Sequence, residues 1–306
     1  MRMLVTGASG HVGGALVPAL LDAGHEVVVL TRDPVRLADR PWRPGVRVVV
    51  GDAGDDGALA RACAGVDAAY WLVHGLDAGP GFVETDRAHA RGLARAARRA
   101  GVGRLVYLGG PRPVDEALSD HLRSREEVGA LLLASGVPTA VLRAAIVVGA
   151  GSASFEMLRA VTERLVVLPA PAWVRTRVQP VALGDVVTAL VGAAGLPAEV
   201  NRAFDVAGPD VMTYAELVQR YAAVAGLGRR WLLPVPVRSA ALAAVGIDLL
   251  TPVSRQLARS LVESLTNTVV AGEDDLAGLV GSPPRLGFEA AVREALDPGG
   301  RSQTSS

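Results

Sequence analysis

The sequence contains no lysine, so all 31 of its basic residues are arginines. An equal number of acidic residues, 31, leaves a net charge of zero and no long-range field that would attract a polyanion. We therefore expect neither nucleic acid nor a membrane as a partner, and a small molecule suits this composition better. The missing lysine also excludes any mechanism that needs a lysine amine.

Cysteine is almost absent as well, since Cys63 is the single thiol of the chain. One thiol excludes an internal disulfide and a metal site built from several thiolates, and such usage is typical of a reducing cytoplasm. No apolar run is long enough for a membrane span, and no secretion signal opens the chain. We expect a cytoplasmic monomer or homodimer. No metal is predicted, because the histidines are scattered without ligand spacing: His11, His25, His74, His89 and His121.

Short apolar runs alternate with longer alanine-rich segments through the first half of the chain. This alternation is typical of crossover helices that cover a parallel sheet. The predicted strands are residues 3–6, 26–31, 46–50, 68–73, 105–108 and 139–142, and the clearest predicted helices are 11–22, 81–100, 121–135 and 155–164. The sequence thus predicts an α/β protein with a doubly wound parallel-sheet Rossmann fold.

Beyond residue 149 the alternation loosens, and prolines interrupt it. We predict a strand at 178–181, a helix from Asp185, a strand at 203–206, helices at 213–225 and about 253–265, and a last helix after the proline-rich residues 281–286. The core would comprise residues 1–150 with a return at about 178–208, and a smaller C-terminal lobe would comprise most of 151–306, with a disordered tail at 298–306. The lobe should lie over the carboxyl ends of the strands, where open α/β sheets bind ligands.

A glycine-rich turn, TGASGHVGG at 6–14, directly follows the first predicted strand and opens a helix. Gly7 permits the tight turn, Gly10 lets backbone N–H groups approach a diphosphate, and Gly13 lets the helix pack against the strand. This context predicts a dinucleotide site. The residues assigned to it here are Gly7, Ser9, Gly10, His11, Val12 and Gly13.

The end of the second strand, Leu30-Thr31-Arg32, indicates which dinucleotide binds. An acid at this point bonds the ribose 2′-hydroxyl of NAD, whereas an arginine accommodates the 2′-phosphate of NADP. Asp33 is explained structurally as a helix N-cap, since Pro34 follows it. Arg32 therefore favours NADP, with NADPH preferred over NADH, and the alternative is an ordinary surface cation.

A carboxylate, Asp52, ends the third strand at the same edge of the sheet, and Ala53 follows it. Asp55 or Asp56 is better placed to cap the next helix, which leaves Asp52 free to accept a hydrogen bond from an adenine amino group. The alternative is a turn-forming aspartate.

Together these segments resemble the atypical short-chain dehydrogenase/reductase superfamily, specifically its NmrA-like NAD(P)H-binding branch, over about residues 1–210. The resemblance rests on TGASGHVGG at 6–14, TRDP at 31–34, GD at 51–52, YWLVH at 70–74, VYLGG at 106–110 and VLRAAIVVG at 141–149. It implies that Asp52 contacts adenine and that Val73 and His74 lie along the cofactor.

The chain departs from the usual catalytic residues of that superfamily, a serine after the fifth strand and a Tyr-x-x-x-Lys pair on the next helix. Gly109 or Gly110 stands at the serine position, and a His121-x-x-x-Arg125 pair stands where tyrosine and lysine are usual. The two residues are four positions apart and share one helical face. The histidine could therefore donate a proton while the arginine organises the cofactor ribose or a substrate oxygen. The alternative is a solvated histidine, because Ser119 immediately upstream indicates a helix start.

The segment after the sixth strand, residues 149–157, should open a helix above the nicotinamide region. With Gly110 it predicts a largely apolar substrate pocket lined by Ser152, Ser154, Phe155, Met157, Trp173 and Arg175. The alternative for the two serines is that they only cap the helix.

These features predict an NADPH-dependent reductase that transfers hydride to a carbonyl or conjugated alkene of a small apolar or aromatic metabolite. The alternative, favoured by the missing serine, tyrosine and lysine, is a redox sensor that binds NADP(H) without turnover, as in some NmrA-like relatives. A sugar-nucleotide epimerase or dehydratase would need the missing tyrosine base.

Overall fold

A computed structural model describes residues 1–73, 75, 81–112, 119–235, 262–263, 265–281 and 283–297. Its strands are, in chain order, β1 (Arg2–Thr6), β2 (Glu26–Thr31), β3 (Val46–Val50), β4 (Ala68–Trp71), β5 (Arg104–Gly109), β6 (Thr139–Ala144), β7 (Val147–Val148), β8 (Val167–Ala170), β9 (Arg177–Val178), β10 (Val181–Ala182), β11 (Arg202–Val206), β12 (Met212–Thr213) and β13 (Trp231–Pro234). Its α-helices are α1 (His11–Asp22), α2 (Asp56–Cys63), α3 (Phe82–Ala100), α4 (Asp120–Leu133), α5 (Ala153–Arg164), α6 (Leu183–Ala193), α7 (Tyr214–Val224), α8 (Asp275–Val280) and α9 (Phe288–Leu296).

The central sheet has seven strands in the order β11-β6-β5-β4-β1-β2-β3, and every neighbouring pair is parallel. The chain moves outward from β1 through β2 to β3 and then crosses back to β4. Ligands of open α/β sheets bind beside such a switch point, at the carboxyl ends of the strands. The predicted fold class, a doubly wound parallel sheet, is confirmed.

Helices cover both faces of the sheet because its strands are apolar on both sides. Side chains alternate along a strand, so Val5 packs into one core cluster and Leu4 into the other. The first cluster includes Leu16 of α1 and Leu190 of α6, whereas the second includes Leu93 of α3. Both faces therefore exclude water, as a parallel sheet requires.

The six strands predicted in the first half all exist, with ends that differ by at most two residues. One difference of two residues concerns β4, which ends at Trp71, whereas the prediction ended at residue 73. Helix α3 begins at Phe82 after Gly81, whose φ of 91° lies in the left-handed region that glycine tolerates.

The single strand predicted at 178–181 is wrong. Two short strands replace it: β9 pairs antiparallel with β12, and β10 pairs parallel with β7. Pro180 lies between them and has no N–H group to donate, so one continuous ladder cannot form through it. The return of the chain to the central sheet is made by β11, which pairs with β6.

A third apolar cluster lies outside the sheet and joins α5, α7 and α9. Its large members include Phe155, Tyr221 and Phe288, and the two-stranded pair of β8 and β13 adjoins it. Helix α7 begins with a capping box, in which Thr213 and Glu216 exchange side-chain and backbone hydrogen bonds. The helix predicted at about 253–265 lies mostly outside the described residues, and the predicted tail at 298–306 lies wholly outside them.

In the described parts of the chain, no helix combines the length and the apolar character that crossing a membrane would require.

Candidate functional site

The turn between β1 and α1 has glycine where any side chain would collide with backbone. Gly7 has a φ of 73°, and a Cβ on it would lie 2.8 Å from the Leu72 oxygen. A Cβ on Gly13 would lie 2.3 Å from the Gly7 oxygen. Glycine at both positions therefore lets the start of α1 approach the end of β1 closely, as the sequence predicts.

The N-terminus of α1 is suited to an anion. Gly10 is its N-cap residue and supplies no side-chain hydrogen bond, and the first turn carries no acidic residue. The N–H groups of a first helical turn have no partner within the helix, and the helix dipole is positive there. The glycines keep this helix N-terminus close to the end of β1, and it has no competing carboxylate. It therefore fits a cofactor diphosphate.

Thr6 fixes this turn to the neighbouring strand β4, a contact that no sequence pattern marks. Its hydroxyl is fully buried, donates to the Tyr70 oxygen at 2.9 Å and accepts the Leu72 N–H at 3.2 Å. The side chain thus continues the hydrogen bonding between β1 and β4 at the edge where the site lies.

The guanidinium of Arg40 also lies at the turn, and sequence reasoning missed it. It follows a 3-10 helix, Pro34–Leu37, and donates from Nη2 to the Ser9 oxygen at 3.3 Å. No sequence motif marks it, because the contact depends on how the connection between β2 and β3 folds back over the turn.

At the end of β2, Asp33 accepts the Val35 N–H as the N-cap of that 3-10 helix, so its structural interpretation is confirmed. Arg32 is three-quarters exposed, and its Nε lies 3.7 Å from Oδ2 of Asp52. The other oxygen of Asp52 accepts the Gly54 N–H at 2.7 Å, which is the turn-forming role the sequence allowed. Asp55 is the N-cap of α2, again as predicted.

The connection after β4 is fastened to the helix that follows β5. Val73 is half-buried just beyond β4, whereas the predicted cofactor residue His74 lies outside the described residues. Asp86 is buried, accepts the Gly75 N–H at 2.7 Å and accepts the Ser124 hydroxyl at 3.0 Å. Because Ser124 lies on α4, this carboxylate holds α4 and the connection after β4 together.

A cavity of about 590 Å³ separates the carboxyl edge of the sheet from the C-terminal lobe. The side of the cavity nearest the sheet is lined by His11 and Val12 of α1, by Gly109 and Gly110, and by His121 and Arg125 of α4. The far side is aliphatic, lined by Leu158, Val161, Leu165, Leu168, Leu217, Val218 and Leu232. The remaining cofactor residues of the turn, and Arg32 with Asp52, lie outside this cavity.

His121 and Arg125 both line the cavity, one helical turn apart on α4. Residue His121 is 8% exposed, so the alternative of a solvated histidine is wrong. Arg125 donates from Nη1 to the Leu108 oxygen at 3.0 Å, which anchors its guanidinium at the end of β5. Ser119 caps the helix through the Leu122 N–H, as predicted.

The glycines at the usual serine position leave room for this arginine. A Cβ on Gly110 would lie 3.0 Å from Cδ of Arg125, and one on Gly109 would lie 3.2 Å from the ring of Tyr107. A serine at 110 would therefore crowd the arginine side chain.

Helix α5 presents one face to the cavity, and the predicted substrate residues divide accordingly. Ser152, Ser154, Met157 and Trp173 line the cavity. Phe155 does not: it is fully buried against Tyr221, with ring centroids 5.9 Å apart. Residues on one helical face recur every three or four positions, and Met157 and Leu158 accordingly share the cavity face with Ser154. Phe155 lies outside that face.

Arg175 is exposed and does not line the cavity, so its predicted place in the pocket is wrong too. Ser152 stands at the N-cap position of α5 but makes no capping hydrogen bond, which removes that alternative for its hydroxyl.

His11 joins the turn to the segment before α5. Burial lowers its pKa, against the opposing charge of Glu156 and a hydrogen bond to the Ala150 backbone. Its Nε2 is buried and has no hydrogen-bond partner. The imidazole is accordingly neutral near pH 7 and forms part of the wall between turn and cavity.

Among the described residues, no three His, Cys, Asp or Glu side chains come together in a way that could hold a metal ion.

Comparison with known families gives a match to an NAD(P)H-binding domain over residues 7–146. This range contains the glycine turn, Arg32, Asp52 and the His121 and Arg125 pair. Residues 7–146 are therefore a domain that binds a nicotinamide cofactor.

Two curated relatives match parts of the chain. A 3-beta-hydroxysteroid dehydrogenase of Mycolicibacterium neoaurum is 37% identical over 116 residues, which are 35% of this chain and 31% of that protein. The (4-alkanoyl-5-oxo-2,5-dihydrofuran-3-yl)methyl phosphate reductase of Streptomyces griseus subsp. griseus is 37% identical over 142 residues, 46% of each chain. The chain thus spans about a third of the first relative's length and less than half of the second's.

A solved structure resembles nearly the whole chain. The triphenylmethane reductase of Citrobacter sp., complexed with NADP(H), superposes with a TM-score of 0.73 over 96% of this chain and 100% of that chain. The two sequences are 22% identical, a level at which the likeness shows the shared fold alone.

Proposed function

We propose that the chain is an NADPH-dependent reductase of the atypical short-chain dehydrogenase/reductase superfamily, because residues 7–146 match an NAD(P)H-binding domain. Its substrate is a small apolar metabolite with a carbonyl group or a conjugated alkene. The observation that carries the proposal is the cavity, because it brings His121 and Arg125 together with the start of α1 and with an aliphatic wall.

The cofactor is held along the carboxyl edge of the core, residues 1–150. Backbone N–H groups of His11, Val12 and Gly13 bind the diphosphate, Arg32 binds the 2′-phosphate, and Asp52 accepts from adenine. Val73, half-buried just beyond β4, lies along the rest of the cofactor. When bound, the nicotinamide supplies the hydride.

Arg32 also sets the cofactor preference. Its guanidinium is three-quarters exposed, with Nε 3.7 Å from Oδ2 of Asp52, so it can turn to a phosphate. With Asp33 committed to capping, no acid at the end of β2 remains to bond the 2′-hydroxyl of NADH. NADPH is therefore preferred over NADH.

His121 donates the proton that the reduced substrate oxygen or carbon requires, and Arg125 stabilises the negative charge that develops there. Both side chains face the cavity, and each is held by its surroundings: His121 by burial, Arg125 by the Leu108 oxygen. His121 is buried and Arg125 half-buried, and the reduced access of water strengthens the attraction between guanidinium and the developing charge.

Substrate binds between the sheet and the lobe, on Gly110, Ser152, Met157 and Trp173. The aliphatic far wall favours burial of hydrocarbon, at about 25 cal/mol per Å². The name of one relative agrees with this chemistry, since the steroids on which a 3-beta-hydroxysteroid dehydrogenase acts are largely apolar.

The test begins with calorimetric titration of the full chain with NADPH and NADH, followed by an NADPH-oxidation assay over a panel of apolar ketones, enones and quinones. Once a substrate is found, His121→Gln and Arg125→Gln should each lower kcat/KM about 100-fold, while their cofactor affinity stays within a few-fold. Arg123→Gln, exposed on the same helix, serves as the matched control and should keep full activity.

Full turnover by both variants would refute the assigned roles. Tight NADPH binding without oxidation across the panel would instead favour the alternative, a sensor of the NADP(H) pool. No binding of either dinucleotide would refute the proposal entirely.

A further inference from the structure

A histidine without an assigned role stands beside Asp52. His89, on α3, has a side chain 22% exposed, and its Nε2 lies 3.9 Å from Oδ1 of Asp52. The other carboxylate oxygen faces Arg32 at 3.7 Å. Asp52 thus lies between a permanent cation and an imidazole that can become one.

Gly54 makes room for this arrangement. A Cβ on Gly54 would lie 2.8 Å from Nε2 of His89 and 3.0 Å from Oδ1 of Asp52. Its φ is not in the left-handed region, so backbone conformation does not demand glycine here. What glycine provides is space for the imidazole to approach the carboxylate.

Several other charged groups on α3 and on the helices packed against it have partners of their own. Asp56 of α2 pairs with Arg95, Arg61 of α2 donates to the Val50 oxygen, Glu127 of α4 pairs with Arg87, Asp86 of α3 accepts from Gly75 and Ser124, and Asp55 accepts from Gly57. In the described part of the chain, Asp52 is therefore the carboxylate that a protonated His89 meets.

We propose that His89 is a specificity-determining residue of the nucleotide site, whose protonation strengthens the preference for a 2′-phosphate over a 2′-hydroxyl. The inference rests on the proposed function, because it places the 2′-phosphate beside Arg32. The Asp52 carboxylate repels that phosphate and competes for Arg32. A proton on His89 offsets the carboxylate charge, which leaves Arg32 to the phosphate. A hydroxyl carries no charge and responds much less.

The test measures the ratio of Kd for NAD⁺ to Kd for NADP⁺ by calorimetry at pH 5.5 and pH 8.5, at constant ionic strength and with the full chain. The oxidised dinucleotides are used because they are stable in acid. A 2′-phosphate titrates near pH 6 itself, so the variant comparison is needed to isolate the protein group. His89→Gln keeps a polar side chain without a titrating proton, and His25→Gln, at the opposite end of β2, is the matched control.

When the pH falls from 8.5 to 5.5, we expect the ratio of Kd for NAD⁺ to Kd for NADP⁺ to rise about fivefold more in wild-type protein than in His89→Gln. In His25→Gln the ratio should rise as much as in wild-type protein. Gly54→Ala should lose the pH dependence like His89→Gln, because its methyl group displaces the imidazole. Superimposed profiles of wild type and His89→Gln, with both dinucleotides bound, would overturn this inference alone. Absence of any dinucleotide binding would overturn the proposed function and this inference with it.

Discussion

At the residue scale, Arg104 shows how one buried cation can hold two elements together. It lies at the start of β5, is 3% exposed, and donates to the backbone oxygens of Leu196, Pro197 and Val200 after α6. The Pro197 oxygen also accepts the Val200 N–H, whereas the guanidinium satisfies the oxygens of Leu196 and Val200 in place of water.

Arg104→Met should lower the free energy of unfolding by about 3 kcal/mol, because it leaves the buried Leu196 oxygen and the half-buried Val200 oxygen without this donor. Chemical denaturation followed by circular dichroism measures this loss. Arg98→Met, at an exposed position of α3, is the control and should change stability by less than about 0.5 kcal/mol. Equal stabilities of the two variants would contradict the assigned role.

Cys63 offers a second residue-scale prediction. Its side chain is fully buried in the core, and burial raises the pKa of its thiol to about 11. The thiolate is the reactive form, so folded protein should resist iodoacetamide at pH 8 for hours. Mass spectrometry should find no adduct in buffer and one adduct after denaturation. Rapid labelling of folded protein would show that the thiol is accessible.

At the element scale, the position of α1 against β1 depends on Gly13 and hardly on its neighbour. Gly13→Ala would force the helix away, since its Cβ would lie 2.3 Å from the Gly7 oxygen. On Gly14 a Cβ would meet the far end of Arg40 at 3.3 Å, which can move aside, and the Ala8 oxygen at 3.6 Å, an ordinary van der Waals contact.

We expect Gly13→Ala to weaken NADPH binding at least tenfold and to lower stability by about 2 kcal/mol. Gly14→Ala should bind NADPH normally, and its free energy of unfolding should rise by up to about 1 kcal/mol, because alanine favours the helix. Calorimetry with thermal melts measures both effects. Similar affinities for the two variants would mean that the close approach of α1 does not matter for the cofactor.

At the scale of the whole molecule, stability should depend on pH through His11. Burial lowers the pKa of this imidazole in the folded protein below its ordinary value of 6.5. Below that pH the unfolded chain binds more protons than the folded one, so stability falls as pH falls and is unaffected above it.

His11→Gln removes this titration, and its Tm should drop less than that of wild type between pH 7.5 and pH 5.5. Differential scanning calorimetry without cofactor gives both values. Equal Tm losses in the two proteins would show that His11 does not contribute to acid sensitivity.

How far the sequence predicts this molecule depends on the range of the interactions involved. The glycine turn, the N-caps Asp33, Asp55 and Ser119, and the six first strands follow from contacts between near neighbours and from apolar periodicity. The failed strand at 178–181 shows the limit, since its residues pair with two different partners that lie far away in the sequence.

The same division applies to the candidate site. Local pattern determined that a glycine turn opens α1 and that His121 and Arg125 share one face of α4. Only the tertiary structure decided that Phe155 packs inward on Tyr221 and that Arg40 reaches Ser9. It also decided that His89 stands against Asp52. The reason is physical: backbone propensity and side-chain period act along a few residues, whereas the position of a side chain between elements depends on how those elements pack.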